Sequence, residues 1–130
     1  MSIFSNLFGK SESSNIESNS KINWVLLTHL SQLEELKVVS ETKPVLIFKH
    51  STRCSISRMA LKQFENEFDL QEKIIPYFLD LITYREISNA IASEFAVVHQ
   101  SPQLLLIQNG KSVYDVSHDA IDAQALKIKL

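Results

Sequence analysis

The sequence predicts an α/β domain, a mixed central sheet with helices on both faces. Short β-favouring apolar runs alternate with stretches of helical period. Strands joined through helices pair in parallel by right-handed crossovers. Asn109-Gly110 stands between the last two apolar runs, and two residues that tolerate positive φ favour a tight hairpin there. The order read along the chain is β-α-β-α-β-α-β-β-α.

Residues 1–21 are set apart as a tail. Ile3, Phe4, Leu7 and Phe8 make one apolar stripe, and Ser11 to Lys21 is a polar run with little to bury. The domain is expected over residues 22–130. Trp24 to Leu27 reads as its first strand. Ser31 with Glu34 is a capping box opening a helix that carries Leu33, Leu36 and Val39, and Pro44 stops it. Val45-Leu46-Ile47-Phe48 is a continuous β-favouring run, as expected of a strand buried on both faces. A polar loop, His50 to Cys54, follows.

Ile56, Ala60, Leu61, Phe64 and Phe68 then recur at helical spacing, with Arg58, Lys62 and Glu65 opposite. Tyr77 to Leu81 is the next strand. Thr83 with Glu86 makes a second capping box, ahead of a stripe of Ile87, Ile91, Phe95 and Val98. Ser101-Pro102 breaks the chain before Leu104 to Ile107. Val113 to Val116 returns across the hairpin, and Asp122 caps a last helix carrying Ala125, Leu126 and Leu130.

Composition narrows the function classes. A chain of 130 residues with 45% apolar and 22% charged residues suits one soluble globular domain. A net charge of −2 argues against a broad footprint for nucleic acid or acidic membranes. No apolar run is long enough to span a bilayer, and the N-terminus lacks a secretory pattern, so a cytoplasmic location is expected. The single cysteine forbids an intrachain disulfide framework and speaks against a zinc–thiolate site. No metal or organic cofactor is expected.

That cysteine, Cys54, falls where a buried strand turns into a helix. Reactive groups of open α/β sheets gather beyond the carboxyl ends of the strands. A helix N-terminus offers unpaired N–H groups and a partial positive charge, both of which favour thiolate over thiol. Arg53, Arg58 and His50 are placed to add positive potential. Ser57 stands three residues on, where a dithiol oxidoreductase carries its second cysteine, and its hydroxyl is expected to donate to the thiolate. The chemistry would then be monothiol exchange. Pro102, entering a strand, is expected to follow a cis bond, with the Ser101 backbone free to pair with an extended substrate. The rival reading is a binding or adaptor module in which Cys54 is incidental and this loop holds a peptide.

Cys-x-x-Ser at a strand-to-helix turn, followed by a Pro-led hairpin, resembles the thioredoxin and monothiol glutaredoxin superfamily. Phe48-Lys49-His50-Ser51-Thr52-Arg53-Cys54-Ser55-Ile56-Ser57 resembles the active-site segment of the YtxJ family, the single-cysteine bacilliredoxins. Arg85 to Ala92, His99 to Gln103 and Ser117-His118 resemble three further segments of that family. The resemblance covers about residues 24–130. It implies a thioredoxin-like fold and a cysteine, Cys54, that removes bacillithiol from protein mixed disulfides. Client proteins and that small thiol are the implied partners. Ser101-Pro102 is the implied cis-proline loop. Arg85, Asn89, His99 and His118 match the family with no role implied. Thr52 is a further candidate substrate contact, as is His118, which is expected to reach a ligand from the start of the last helix. Ser55 departs from the pattern, which more often has proline after the cysteine. Proline would lack an N–H that Ser55 restores near the sulfur.

Overall fold

A computed structural model describes residues 22–130, and the tail expected over 1–21 lies outside the described residues. β2 (Val45–His50) is the spine of the sheet, and all six of its residues are buried because helices cover both faces. Around it lie β1 (Val25–Leu26), β3 (Ile75–Asp80), β4 (Gln103–Gln108) and β5 (Lys111–Ser117), in the order β1-β3-β2-β4-β5. β3 runs parallel to β1 and β2, while β4 runs antiparallel to β2 and β5. Among the described residues four α-helices complete the fold: α1 (Ser31–Val39), α2 (Ser55–Glu67), α3 (Arg85–Glu94) and α4 (Ala123–Lys129). A 3-10 turn, His118–Ala120, precedes α4. The fold is thioredoxin-like α/β.

The period of two along β2 divides the core. Leu46 and Phe48 pack with Leu61 and Phe64 of α2, Phe68 just past its end and Leu126 of α4. Val45 and Ile47 face the other way, toward Leu33 and Leu36 of α1 and Ile87 and Ile91 of α3. The same alternation sends Lys49 to the α1/α3 side and His50 to the α2 side. Asn109 and Gly110 adopt φ of 53° and 77°, as their hairpin position requires. Pro76 lies inside β3, which the sequence reading began at Tyr77. The Ile75 N–H donates to Pro44 O on the β2 side, so the ring nitrogen of Pro76 faces the β1 side. There β1 pairs only with Tyr77 and Phe78, so no ladder bond is lost.

Several sequence expectations are corrected. β1 is two residues long, shorter than Trp24 to Leu27. Neither capping box forms: α1 is preceded by Leu30 and α3 by Tyr84, with no side-chain cap at either. Instead, Gln32 Oε1 accepts the Thr28 and His29 N–H groups. Likewise Asp80 Oδ1 accepts those of Ile82 and Thr83. Val98 is not on the helical stripe and is 77% exposed. α3 closes earlier because Ala96 takes φ 56° and the Val97 N–H reaches Ala92 O at 3.1 Å, a left-handed closure. The Asp122 cap does form, its Oδ1 accepting the Gln124 N–H at 2.9 Å. Asp122→Ala is therefore expected to lower stability by about 1 kcal/mol in urea unfolding.

Candidate active site

Cys54 is the residue at which the chain stops being a loop and becomes α2. Its φ of −112° and ψ of 122° are extended, and it occupies the cap position. Serine or aspartate at that position turns its side chain onto the first free N–H groups of the helix. The first turn of α2 holds no acidic residue, so no carboxylate competes for those donors. Cys54 is half-buried, and its sulfur makes no hydrogen bond among the described residues. The Cys54 N–H reaches Ser51 O at 3.3 Å and Cys54 O accepts the Arg58 N–H at 3.0 Å, which anchors the turn on both sides.

The sequence stripe expected Ile56 inward, but Ile56 is 57% exposed and Ser57 is fully buried. Ser57, Leu61, Phe64 and Phe68 make the true inward row of α2 and its end. A serine fits there because polar partners await it. His50 Nδ1 lies 2.8 Å from Ser57 Oγ, and the Ser51 N–H donates to the same oxygen at 3.0 Å. Burial lowers the His50 pKa, with Arg58 acting in the same sense and Asp80 opposing. The ring is therefore neutral at pH 7 and offers a hydrogen bond, not the charge expected from sequence.

The other expected groups fall as follows. Arg58 Nη1 donates to Thr52 O at 3.2 Å, folding its guanidinium back over the loop. Arg53, Ser55 and Thr52 are exposed, and no carboxylate pairs with Arg53 among the described residues. The Ser101-Pro102 bond is cis, and Pro102 O accepts the His118 N–H at 3.1 Å. His118 sits in the 3-10 turn at φ 56°, ahead of α4 and not at its start. The backbone N–H and C=O of Ser101 make no hydrogen bond among the described residues. The pairing of Lys49 with Gln103 brings this loop to the end of the sheet from which Cys54 emerges.

Sequence reasoning missed Lys49 and Gln103. Both are fully buried, and Lys49 Nζ donates to Gln103 Oε1 at 2.8 Å. Nζ also lies 2.8 Å from His99 Nδ1. The signal was a lysine ending an otherwise apolar run. Burial pushes the Lys49 pKa down from 10.5 to about 8. An unfolded lysine keeps its proton up to the higher value, so between those two pH values the unfolded state binds more protons and stability rises with pH. At about 1.4 kcal/mol per unit, the gain is on the order of 3 kcal/mol. Urea unfolding at pH 7.5 and pH 10 is expected to show this rise relative to Lys49→Met, which lacks it.

A family model described as "Monothiol bacilliredoxin BrxC" matches residues 25–126. One similar solved structure, described as a candidate oxidoreductase with a thioredoxin fold, is 33% identical, with 80% of this chain and 90% of that chain covered and a TM-score of 0.68. The Malassezia sympodialis thioredoxin is 19% identical, with 85% and 90% covered and a TM-score of 0.64. The Fasciola hepatica thioredoxin is 17% identical, with 80% and 93% covered and a TM-score of 0.61. These last two speak to the fold alone. The expectation raised by the segments around Cys54 and Pro102 is met: the chain belongs to the BrxC family of monothiol bacilliredoxins.

Proposed function

We propose that this protein is a monothiol thiol–disulfide oxidoreductase that strips bacillithiol from client proteins in the cytoplasm, with residues 22–130 as its working domain. The Cys54 thiolate attacks the bacillithiol sulfur of the mixed disulfide. A new S–S bond forms to Cys54, the old one breaks, and the client cysteine leaves as a thiolate that takes up a proton. A second thiol, from a small molecule or a dithiol protein, then attacks the Cys54 adduct and restores the free cysteine.

One observation carries the reading: Cys54 occupies the cap position of α2, its sulfur makes no hydrogen bond among the described residues, and the helix start has no acidic residue. The Ser55 N–H is one of the free donors there. Arg53 and Arg58 add positive charge around the loop. With Nδ1 of His50 protonated, Ser57 Oγ accepts two N–H bonds and keeps its own proton for the sulfur or the departing thiol. Ser101 offers an unpaired backbone to a client strand, with Thr52 and His118 flanking as substrate contacts.

The test uses a single-cysteine carrier protein loaded with bacillithiol. Intact-mass spectra should show the carrier losing the small thiol while Cys54 gains the same mass. A carrier that keeps its load in the presence of the fully reduced protein would overturn the reading.

A further inference from the structure

Lys49 is a costly residue that the exchange chemistry leaves unused. Its side chain is fully buried on the α1/α3 side of the sheet. No carboxylate pairs with it among the described residues; Asp115 Oδ2 reaches Gln103 Nε2 at 3.4 Å, not the lysine. Proteins rarely keep a buried ammonium without a counter-ion. Its partners are neutral and belong to one segment: Gln103 Oε1 at 2.8 Å and His99 Nδ1 at 2.8 Å. Gln103 reaches into that segment as well. Its Oε1 accepts the Gln100 N–H at 3.3 Å and its Nε2 donates to Val98 O at 3.0 Å.

Lys49 with Gln103 is also the last rung of the β2–β4 ladder. Everything immediately before Gln103, Ser101-Pro102 included, has left the sheet. Among the described residues no strand pairs with residues 98–102; these side-chain bonds and the Pro102–His118 bond tie them to the rest of the fold.

We propose that Lys49 and Gln103 are positioning residues for disulfide exchange, splinting residues 98–102 from inside the sheet so that the Ser101 backbone is held ready for the client chain beside its disulfide. The inference rests on the reading of Cys54 as the nucleophile. It adds a specificity: a protein client engages the splinted loop, whereas a small alkylating agent needs only the sulfur.

The full chain is tested as Lys49→Met. Its Cys54 rate constants are measured with iodoacetamide and with the bacillithiol-loaded carrier protein. The carrier rate should fall by about tenfold to a hundredfold, as misplacement of a reacting partner does, while alkylation stays within about twofold. His99→Ala changes an exposed residue and removes one Lys49 partner. It should shift the two rates in the same pattern by a smaller factor, and it serves if Lys49→Met does not fold. Equal losses in both rates, or a folded variant with the wild-type carrier rate, would overturn the splint and leave Lys49 to the fold alone. A wild-type protein inert toward the carrier but alkylated normally would instead remove the exchange reading, and the splint with it.

Discussion

Cys54→Ser is expected to end transfer of bacillithiol from a loaded client, a loss of roughly a thousandfold or more that takes the rate to the detection limit. A serine hydroxyl is not ionised at neutral pH and forms no bond that a second thiol could resolve. The substitution should leave the fold alone. The Cys54 side chain makes no hydrogen bond among the described residues, and serine is well suited to a helix cap, so stability should stay within about 0.5 kcal/mol of wild type. Intact-mass analysis after incubation with the loaded client reads the first effect, and urea unfolding the second. A variant that still unloaded the client would place the chemistry elsewhere.

Phe64→Ala is expected to be the most damaging single change to the fold, at about 3–5 kcal/mol. Phe64 is 1% exposed and lies at the centre of an aromatic group. Its ring stands 5.5 Å from Phe48 of β2, 5.3 Å from Phe68 and 6.2 Å from Trp24. Alanine would leave a cavity among rigid rings that cannot collapse to fill it. The loss approaches the whole stability of many small domains. It also frees the helix that aims Cys54, so exchange activity should fall at temperatures where the variant still looks folded. Denaturant melts followed by Trp24 fluorescence check this, because Trp24 packs on Phe64 and donates Nε1–H to Glu65 Oε2 at 2.8 Å.

What could be read from sequence depended on whether the determining interaction was local. The uninterrupted run of β2 announced a strand covered on both faces, and Asn109-Gly110 announced its turn. Asp122 announced its cap for the same reason. The capping boxes failed because each helix is entered differently: α1 already includes Ser31, with Gln32 bonding the Thr28 and His29 N–H groups ahead of it, and Asp80 takes the Thr83 N–H ahead of α3. The end of α3 was hidden because alanine, not glycine, took the left-handed position. Ser57 was marked as a neighbour of Cys54, but its inward turn depends on His50, which a helical stripe cannot report. Lys49 and Gln103 meet across 54 residues of chain, and only the strand register brings them together. Cys54 stood out because a strand, a polar loop and a helix start are all local.

The central claim, that the Cys54 sulfur captures a small thiol of one chemical kind, meets its most direct test in a mass spectrum. The reduced protein is incubated at neutral pH with oxidised bacillithiol or with oxidised glutathione. The account predicts a single adduct on Cys54, formed faster from the former. No adduct from either disulfide, with Cys54 still open to alkylation, would contradict it.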